Sequence, residues 1–253
     1  MTTHENEIDG KPEAAEAHSD TGQETAADNS HRPIRSYVIR AGRYTDAQKI
    51  AIDAHWDDYV VPYEPRLFSV AELFGNDAPL TVEIGFGMGD SLLEMAAANP
   101  QRNFLGIEVH KPGVGKLLHG LAEQKLTNVK VFCHDAKDIL DQCLAPGSVE
   151  TLLIFFPDPW HKKRHNKRRL VQTDFISAQL PLLAAGGRIH LATDWEPYAE
   201  HMVEAMEAVT GIVNANGAGQ FWAQPERPET KFERRGIRLG HGVWDLLYTK
   251  NTG

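Results

Sequence analysis

Cysteine is scarce in this sequence, which has only Cys133 and Cys143 among 253 residues. The two are not in the Cys-x-x-Cys spacing that is typical of thiolate zinc sites and redox dithiols. Small secreted domains that rely on disulfides carry many more cysteines for their length. The sequence therefore argues against a disulfide framework and against a thiolate metal site, and we expect both thiols to be reduced and structural.

Long apolar runs are also missing. No window approaches the ~18 apolar residues of a membrane-spanning helix. The N-terminus lacks the basic start, apolar core and small-residue cleavage site of a secretory signal. We find neither an internal repeat nor a Pro-rich or Gly-Ser linker in the body of the chain. We expect a soluble, cytoplasmic protein with no membrane partner, and no obligate protein partner is evident from the sequence.

Positive charge is in the minority, since 26 Lys and Arg face 35 Asp and Glu, for a net charge of −9. Bulk charge therefore does not indicate a nucleic-acid-binding protein. The first thirty residues hold eight acids and one base, which leaves 25 bases and 27 acids in the rest. That segment has too little apolar surface to offset the entropy of ordering it. We predict a disordered acidic tail over residues 1–33 and one domain over residues 34–253.

Short apolar runs alternate with amphipathic stretches along the body of the chain. We predict strands at residues 80–84, 104–109, 129–134, 151–156, 188–193 and 243–249. Segments with helical spacing separate the first five strands, and residues 46–59 are predicted to form a further helix. Continuous apolar strands alternating with helices predict an α/β fold with a mostly parallel sheet covered on both faces. The last run follows Gly240-His241-Gly242 and is expected to return antiparallel at an edge.

Three closely spaced glycines, Gly85, Gly87 and Gly89, follow the first predicted strand. Glycines allow a tight strand-to-helix turn and let a ligand approach the main chain closely. Glu108 ends the second predicted strand about twenty residues on, where a carboxylate can accept both hydroxyls of a ribose. The combination favours an adenosine-type ligand over a simple turn.

Two cofactor classes fit such a loop. A dinucleotide needs a free helix N-terminus for its pyrophosphate, whereas here Asp90 stands at the predicted helix start and would repel phosphate. Acids near the ends of three strands, Glu83, Glu108 and Asp135, suit a ligand with hydroxyls, an amine and a sulfonium but no phosphate. We predict S-adenosyl-L-methionine as the cofactor, with an NAD-type Rossmann oxidoreductase as the alternative.

A fourth acid, Asp158, lies between Pro157 and Pro159 after the fourth predicted strand. The prolines fix the backbone on both sides, and Phe156 and Trp160 offer flat faces for stacking a base. Six cations follow within residues 162–169, and phosphates would compensate their mutual repulsion. The segment predicts a catalytic pocket that opens onto a polyanion. A non-catalytic RNA-binding protein on a nucleotide-binding fold is a further alternative, but it leaves the four acids unexplained.

Six segments of the sequence, in this order, resemble the bacterial single-chain tRNA (guanine-N7-)-methyltransferase family. They are VEIGFGMG, FLGIEVHKPGVG, CHDA, FFPDPWHKKRHNKRR, ATDWEPYAEHM and TKFERRG, and the resemblance covers roughly residues 34–248. It implies a class I methyltransferase fold, Rossmann-like, with a seven-stranded sheet. It also implies methylation of N7 of the variable-loop guanosine at position 46 of tRNA.

The resemblance further implies roles for individual residues, with Asp158 as the catalytic residue. The cofactor contacts would be Glu83, Gly85, Gly87, Glu108, Asp135, Ala136 and Asp158. The substrate pocket would include Lys162, Asp194, Thr230, Lys231, Phe232 and Glu233. The tRNA would contact Arg164, His165, Asn166, Lys167, Arg168 and Arg169.

Guanine N7 carries a lone pair and no hydrogen, so its methylation requires no general base. We expect Asp158 to orient the reactants and to stabilise the positive ring that forms. The usual bidentate arginine contact to O6 and N7 would block the nucleophile, so guanine must be held by its N1 and N2 hydrogens. Asp194 and Glu233 are candidates for that contact, although Asp194 also fits as a cap of the helix that begins near Trp195.

Overall fold

The computed structural model describes residues 36–37, 43–229, 233 and 242–252. The predicted disordered tail over residues 1–33 lies outside the described residues and stays a prediction. Three of the residues expected in the substrate pocket, Thr230, Lys231 and Phe232, also lie outside the described residues, and their role stays a prediction.

Helices and strands alternate along the described chain. The helices are α1 (Asp46–Tyr59), α2 (Val70–Phe74), α3 (Asp90–Ala98), α4 (Lys111–Gln124), α5 (Ala136–Gln142), α6 (Thr173–Gln179) and α7 (Glu196–Glu207). The strands are β1 (Leu80–Ile84), β2 (Asn103–Ile107), β3 (Val129–Phe132), β4 (Val149–Phe155), β5 (Leu183–Thr193), β6 (Ile212–Asn214) and β7 (Trp244–Lys250). Two 3₁₀ turns cover Lys163–Arg168 and Leu180–Leu182. No helix among the described residues is both long enough and apolar enough to cross a bilayer.

The seven strands form one sheet in the order β3-β2-β1-β4-β5-β7-β6. The pairs β1–β2, β1–β4, β2–β3 and β4–β5 are parallel, and β7 runs antiparallel to both β5 and β6. The predicted fold class and the antiparallel return of the last strand are confirmed. The outermost strand, β6, was not predicted because three residues are too few to show an alternation pattern.

Alternate residues of the strands face hydrophobic clusters on the two sides of the sheet. On one side, α2, α5, α6 and α7 pack against Leu80, Val82 and Ile84 of β1. On the other side, α1, α3 and α4 cover β2 and β3. Glu83, the residue between Val82 and Ile84, is therefore directed away from the first cluster, and it is only 3% exposed.

Parallel pairing brings the carboxyl ends of β1 to β5 to a single edge of the sheet. The strand order reverses between β1 and β4, and ligands of open α/β sheets bind outside the carboxyl ends at such a switch point. The glycine loop follows β1 and the Asp158 turn follows β4, so the two predicted site segments flank this point.

Candidate active site

The glycine loop, residues 85–89, joins β1 to α3. Gly85, Gly87 and Gly89 have φ angles of 72°, 59° and 77°, in the left-handed region that favours glycine. A Cβ atom on Gly113, in the first turn of α4, would lie 1.9 Å from the Gly87 carbonyl oxygen. The loop and the start of α4 are therefore in backbone contact, and no larger residue fits at position 113.

The Glu108 carboxylate fastens the glycine loop to the end of β2. Its Oε2 accepts a hydrogen bond from the Gly87 N–H at 2.9 Å. Its Oε1 accepts from the N–H groups of Val109 at 2.7 Å and His110 at 2.9 Å. An ionised carboxylate has about four acceptor positions, so three backbone donors leave capacity for a ligand hydroxyl. The predicted proximity of Glu108 to the glycine loop is thus present in the structure.

Glu83 is a buried acid at the end of β1. Its Oε2 atom is buried and has no hydrogen-bond partner among the described residues. Burial, and secondly the charge of Glu108, raise the pKa of Glu83 to about 8. A buried polar atom without a partner is costly in a folded protein. The chemistry of this carboxyl fits a ligand that brings a hydrogen-bond donor or a positive charge.

Asp135 ends the third segment of the site and caps α5. Its Oδ1 accepts from the Lys137 N–H at 3.0 Å, ahead of Ala136, the first residue of the helix. Its Oδ2 accepts from the Tyr37 hydroxyl, also at 3.0 Å. The carbonyl oxygen of Ser36 accepts from Trp160 Nε1 at 3.1 Å.

The dipeptide Ser36–Tyr37 therefore links the segment after β3 to the turn after β4, with β2 and β1 between them in the sheet. Tyr37 was not predicted from the sequence as a site residue. An isolated tyrosine 98 residues from its partner has no pattern that marks it.

The Asp158 turn carries backbone strain on both sides of the acid. Phe156 and Trp160 adopt φ angles of 50° and 47°, which are uncommon for aromatic residues. Such conformations cost on the order of 1–3 kcal/mol each and cluster at functional sites. Asp158 itself is exposed between Pro157 and Pro159. The turn therefore presents a carboxylate on a backbone that the surrounding structure holds in an unfavourable conformation.

Residues 162–169, which we call the basic block, follow this segment, and Lys163–Arg168 form a 3₁₀ turn. Lys162, Lys163, Arg164 and Lys167 are exposed, as an RNA-contacting face requires. The Arg168 guanidinium lies 3.7 Å from the centre of the Trp160 ring, so it occupies one face of an aromatic that we considered for base stacking.

Two neutral members of the block, His165 and Asn166, are half-buried. Arg164 Nε donates to His165 Nε2 at 3.3 Å. Desolvation, followed by the charges of Arg164 and the neighbouring cations, lowers the pKa of His165 below its usual value. The Gln172 side-chain amide Nε2 donates a hydrogen bond to the Asn166 backbone carbonyl oxygen at 3.1 Å. These contacts fix the shape of the turn from which the exposed cations project.

Arg169 departs from the predicted RNA-contacting role because its side chain is buried, with 6% exposure. Its Nε donates to the Pro159 carbonyl oxygen at 3.0 Å, and its guanidinium lies 4.8 Å from the centre of the Tyr198 ring. Burial lowers the pKa of Arg169. Arg169 therefore stabilises the Asp158 turn from the interior of the protein, and its side chain is not available to contact tRNA.

Asp194 and Glu233 were predicted to hold the guanine edge. Asp194 is half-buried between β5 and α7, and the N-cap of α7 is Trp195, which makes no side-chain cap hydrogen bond. The Trp195 N–H donates to Thr193 Oγ1 at 3.3 Å, so the helix-cap role considered for Asp194 is not observed. Both carboxylate oxygens of Glu233 accept hydrogen bonds from the guanidinium of Arg227. Arg227 was not predicted as a site residue, although it lies just ahead of the TKFE motif.

The carboxylate of Asp90, which was predicted to repel a phosphate-bearing cofactor, has a basic partner. Asp90 does stand at the start of α3, but its carboxylate is paired with Lys116. Both side chains are partly exposed, so the pair reduces, without removing, the repulsion that the sequence predicted.

Comparisons with known proteins agree with the geometry. A family model described as "Putative methyltransferase" matches residues 77–246. The tRNA (guanine-N(7)-)-methyltransferase of Saccharophagus degradans is 52% identical over 221 residues, 87% of this chain and 96% of the relative. Those of Cronobacter sakazakii and Pseudomonas paraeruginosa are 53% and 51% identical, covering 86% and 92% of this chain and 91% and 99% of the relatives.

Among solved structures, the 16S rRNA methyltransferase KamB aligns with a TM-score of 0.53. It is 18% identical, and the match covers 76% of this chain and 99% of KamB. At that identity the likeness concerns the fold alone.

Proposed function

Because the chain belongs to the family of tRNA (guanine-N7-)-methyltransferases, we propose that it methylates N7 of a guanine in tRNA, the variable-loop guanosine at position 46. Identity above one half over nearly the whole length of these relatives is the observation that carries the proposal. The relatives do not favour the alternative of an NAD-type oxidoreductase or that of a non-catalytic RNA-binding protein.

The residues at the sheet edge fit S-adenosyl-L-methionine. The unpartnered oxygen of Glu83 suits the positively charged part of this cofactor, and the free acceptor capacity of Glu108 suits its ribose hydroxyls. Asp135 and Ala136 would face the adenine, and Gly85 and Gly87 would admit the ligand close to the main chain. When bound, the cofactor supplies a methyl group on a sulfonium, which is electrophilic.

Asp158 is the proposed catalytic residue. Guanine N7 uses its own lone pair, so the carboxylate removes no proton. The exposed carboxylate on its strained turn orients the guanine and stabilises positive charge on the methylated ring. Fixing the turn in advance, through Arg169 and the Trp160 contact to Ser36, avoids reorganisation when the substrate binds.

Substrate recognition is divided between two faces. Carboxylates of Asp194 and Glu233 are proposed to accept from guanine N1 and N2, and Lys162 or Lys231 to contact O6, which leaves N7 unobstructed. Thr230, Lys231 and Phe232 belong to the same proposed pocket. The exposed cations Lys163, Arg164 and Lys167 would bind tRNA phosphates.

Methyl transfer to unmodified tRNA, followed by chemical cleavage at 7-methylguanosine, tests the function directly. We expect cleavage at position 46 and no product with a tRNA that carries adenine there. Calorimetric titration with NADH and with S-adenosyl-L-methionine distinguishes the proposed methyltransferase from the oxidoreductase alternative, since only S-adenosyl-L-methionine should bind. Methylation at another atom or position, or binding of NADH alone, would overturn the proposal.

The Asp158→Asn variant tests the catalytic role. Loss of a preorganised charge in the transition state should lower kcat by about 10²-fold. Asp53→Asn changes an exposed carboxylate on α1 and serves as the control that should keep full turnover. Nearly full turnover of Asp158→Asn would exclude charge stabilisation by this residue.

A further inference from the structure

A charged network is buried beside the Asp158 turn, on the face of the sheet that carries Asp245. Ala192 of β5 and Asp245 of β7 are register partners, so their side chains share this face with His190. The side chains of Arg227, Asp245 and His190 are only 2%, 3% and 7% exposed. Burial of ions to this extent is costly unless each one is paired, so the function of the network needs an explanation.

Arg227 bridges two carboxylates. Its Nε and Nη2 atoms donate to Oδ1 and Oδ2 of Asp245, both at 2.7 Å. Its Nη2 also donates to Glu233 Oε1 at 3.2 Å, and its Nη1 donates to Glu233 Oε2. Each carboxylate is thus held through both of its oxygens, a geometry that the planar guanidinium fork provides and that lysine does not.

Asp245 is in turn fixed from the sheet side. His190 Nε2 lies 2.7 Å from Asp245 Oδ1. The Trp222 N–H donates to the Asp245 carbonyl oxygen at 2.7 Å, and the centre of the Trp222 ring lies 4.9 Å from that of His190. The anchor of Arg227 therefore lies on the rigid strands β5 and β7.

The Arg227 guanidinium also lies close to the Asp158 turn. Its Cζ atom lies 5.5 Å from the ring centres of Phe155 and Phe156. Phe155 ends β4, and Phe156 is the left-handed residue that opens the Asp158 turn. Arg227 thus contacts both the carboxylate proposed to hold guanine and the segment that presents Asp158.

We infer that Arg227 is a positioning residue for methyl transfer, which holds the Glu233 carboxylate in register with the Asp158 turn. The inference rests on the proposed function and deepens it. Arg227 acts through Glu233 and need not touch the substrate. Without it, Glu233 could still reach guanine, but in several orientations, and N7 would seldom face the methyl group.

A double-mutant cycle between Arg227 and Glu233 tests this inference, with Arg227→Lys, Glu233→Gln and the double variant. Misplacement of a reactant by about 1 Å can cost about 10²-fold in rate, so we expect kcat of Arg227→Lys to fall by about 10- to 100-fold. Affinity for S-adenosyl-L-methionine, measured by calorimetry, should stay within about twofold of wild type. The double variant should be no more than about twofold slower than the slower single variant, because each substitution alone already removes the same Arg227–Glu233 interaction.

A role of Arg227 that is independent of Glu233 predicts different results. In that case the fold-losses of the two single variants would multiply, and this outcome would overturn the inference. Lys250→Met is the matched control, because Lys250 lies at the other end of β7 and donates to the carbonyl oxygens of Leu180 and Leu183 at 2.8 and 2.7 Å. It should lower the melting temperature and leave kcat unchanged. Arg227→Met extends the series if it folds, and Arg227→Lys, which keeps the charge, decides the outcome if it does not.

A binding measurement separates this inference from the proposed function. Wild-type protein should bind tRNA with guanine at position 46 more tightly than tRNA with adenine there, and Arg227→Lys should lose most of that preference. A wild-type protein that methylates and discriminates, beside an equally discriminating Arg227→Lys, overturns the role of Arg227 alone. A wild-type protein without methyl transfer overturns the proposed function and the inference together.

Discussion

Glu83 shows how one side chain can set the preference of a site for a cation. With a pKa of about 8 in the folded protein and an ordinary value of 4.5, its carboxyl is protonated at neutral pH. The folded protein therefore binds more protons than the unfolded chain between these two values. The free energy of unfolding should accordingly decrease as the pH rises through this window.

A positively charged ligand beside Glu83 would stabilise the carboxylate and lower this pKa. We therefore predict that S-adenosyl-L-methionine binding at neutral pH releases up to about one proton. The measurement is calorimetry in buffers of different ionisation enthalpy, where the observed binding enthalpy should vary with the buffer.

Glu83→Gln should abolish the buffer dependence and weaken binding. Glu123→Gln, an exposed position near the end of α4, should change neither. A binding enthalpy that is the same in every buffer for the wild-type protein would show that Glu83 keeps its protonation state.

The acidic candidates could be selected from the sequence because each stands where an apolar run ends, as Glu108 and Asp135 do. Tyr37 and Arg227 could not be selected in this way, because their hydrogen-bond partners are distant in the chain. Arg169 was misjudged for a related reason. Its charge resembles that of its neighbours, and only the fold shows that it points inward under Pro159.

At the scale of elements, the contact between the glycine loop and α4 controls the shape of the cofactor edge. The Gly113 position admits no Cβ, since the atom would meet the Gly87 carbonyl oxygen at 1.9 Å. Backbone cannot move aside as a flexible side chain can. The helix and the loop must therefore separate if position 113 carries a larger residue.

Gly113→Ala should lower affinity for S-adenosyl-L-methionine by at least about tenfold and reduce stability by about 1–3 kcal/mol, the usual cost of overpacking. Gly120→Ala is the control on the same helix, since its Cβ would meet only the end of the Leu93 side chain, at 2.6 Å. It should gain helix propensity and keep the affinity. Calorimetric titration and thermal unfolding measure the two effects, and equal behaviour of both variants would contradict this account.

Strand prediction succeeded where apolar residues run without interruption. The strand β1 was predicted with its observed bounds, 80–84, and the other predicted strands lie close to theirs. The strand β5 begins at Leu183, five residues earlier than predicted, and the added stretch Ala184-Ala185-Gly186-Gly187 has no alternating apolar pattern. There the register with β4 shifts between Val149 and Thr151, so a bulge accounts for the extra residues.

At the scale of the whole molecule, charge is separated along the chain. The protein is acidic, yet its basic block projects exposed cations from a turn beside the predicted catalytic acid. Local potential, and not net charge, should then govern association with tRNA.

If about three cations of the block contact phosphates, the logarithm of tRNA affinity should fall with the logarithm of salt concentration with a slope of roughly −2 to −3. Replacing Lys163 and Lys167 with Gln should bring the slope about two closer to zero. Replacing Lys49 and Lys130, which lie on α1 and β3, should leave it unchanged. Filter binding over a salt series measures the slope, and a flat response of the wild-type protein would assign the block to another role.

The hydrogen bonds of Ser36 and Tyr37 bear on where this enzyme can be shortened. The sheet begins only at Leu80, and the matching family model begins at residue 77. A protein shortened to begin at either position would keep every described β-strand and the glycine loop. It would lose the hydrogen bond from the Tyr37 hydroxyl to Asp135 and the one from Trp160 to the Ser36 carbonyl oxygen. Since α1 and α2 also contribute buried residues to the hydrophobic clusters on the sheet, the folding unit and the proposed functional unit of this chain both start well ahead of these two positions.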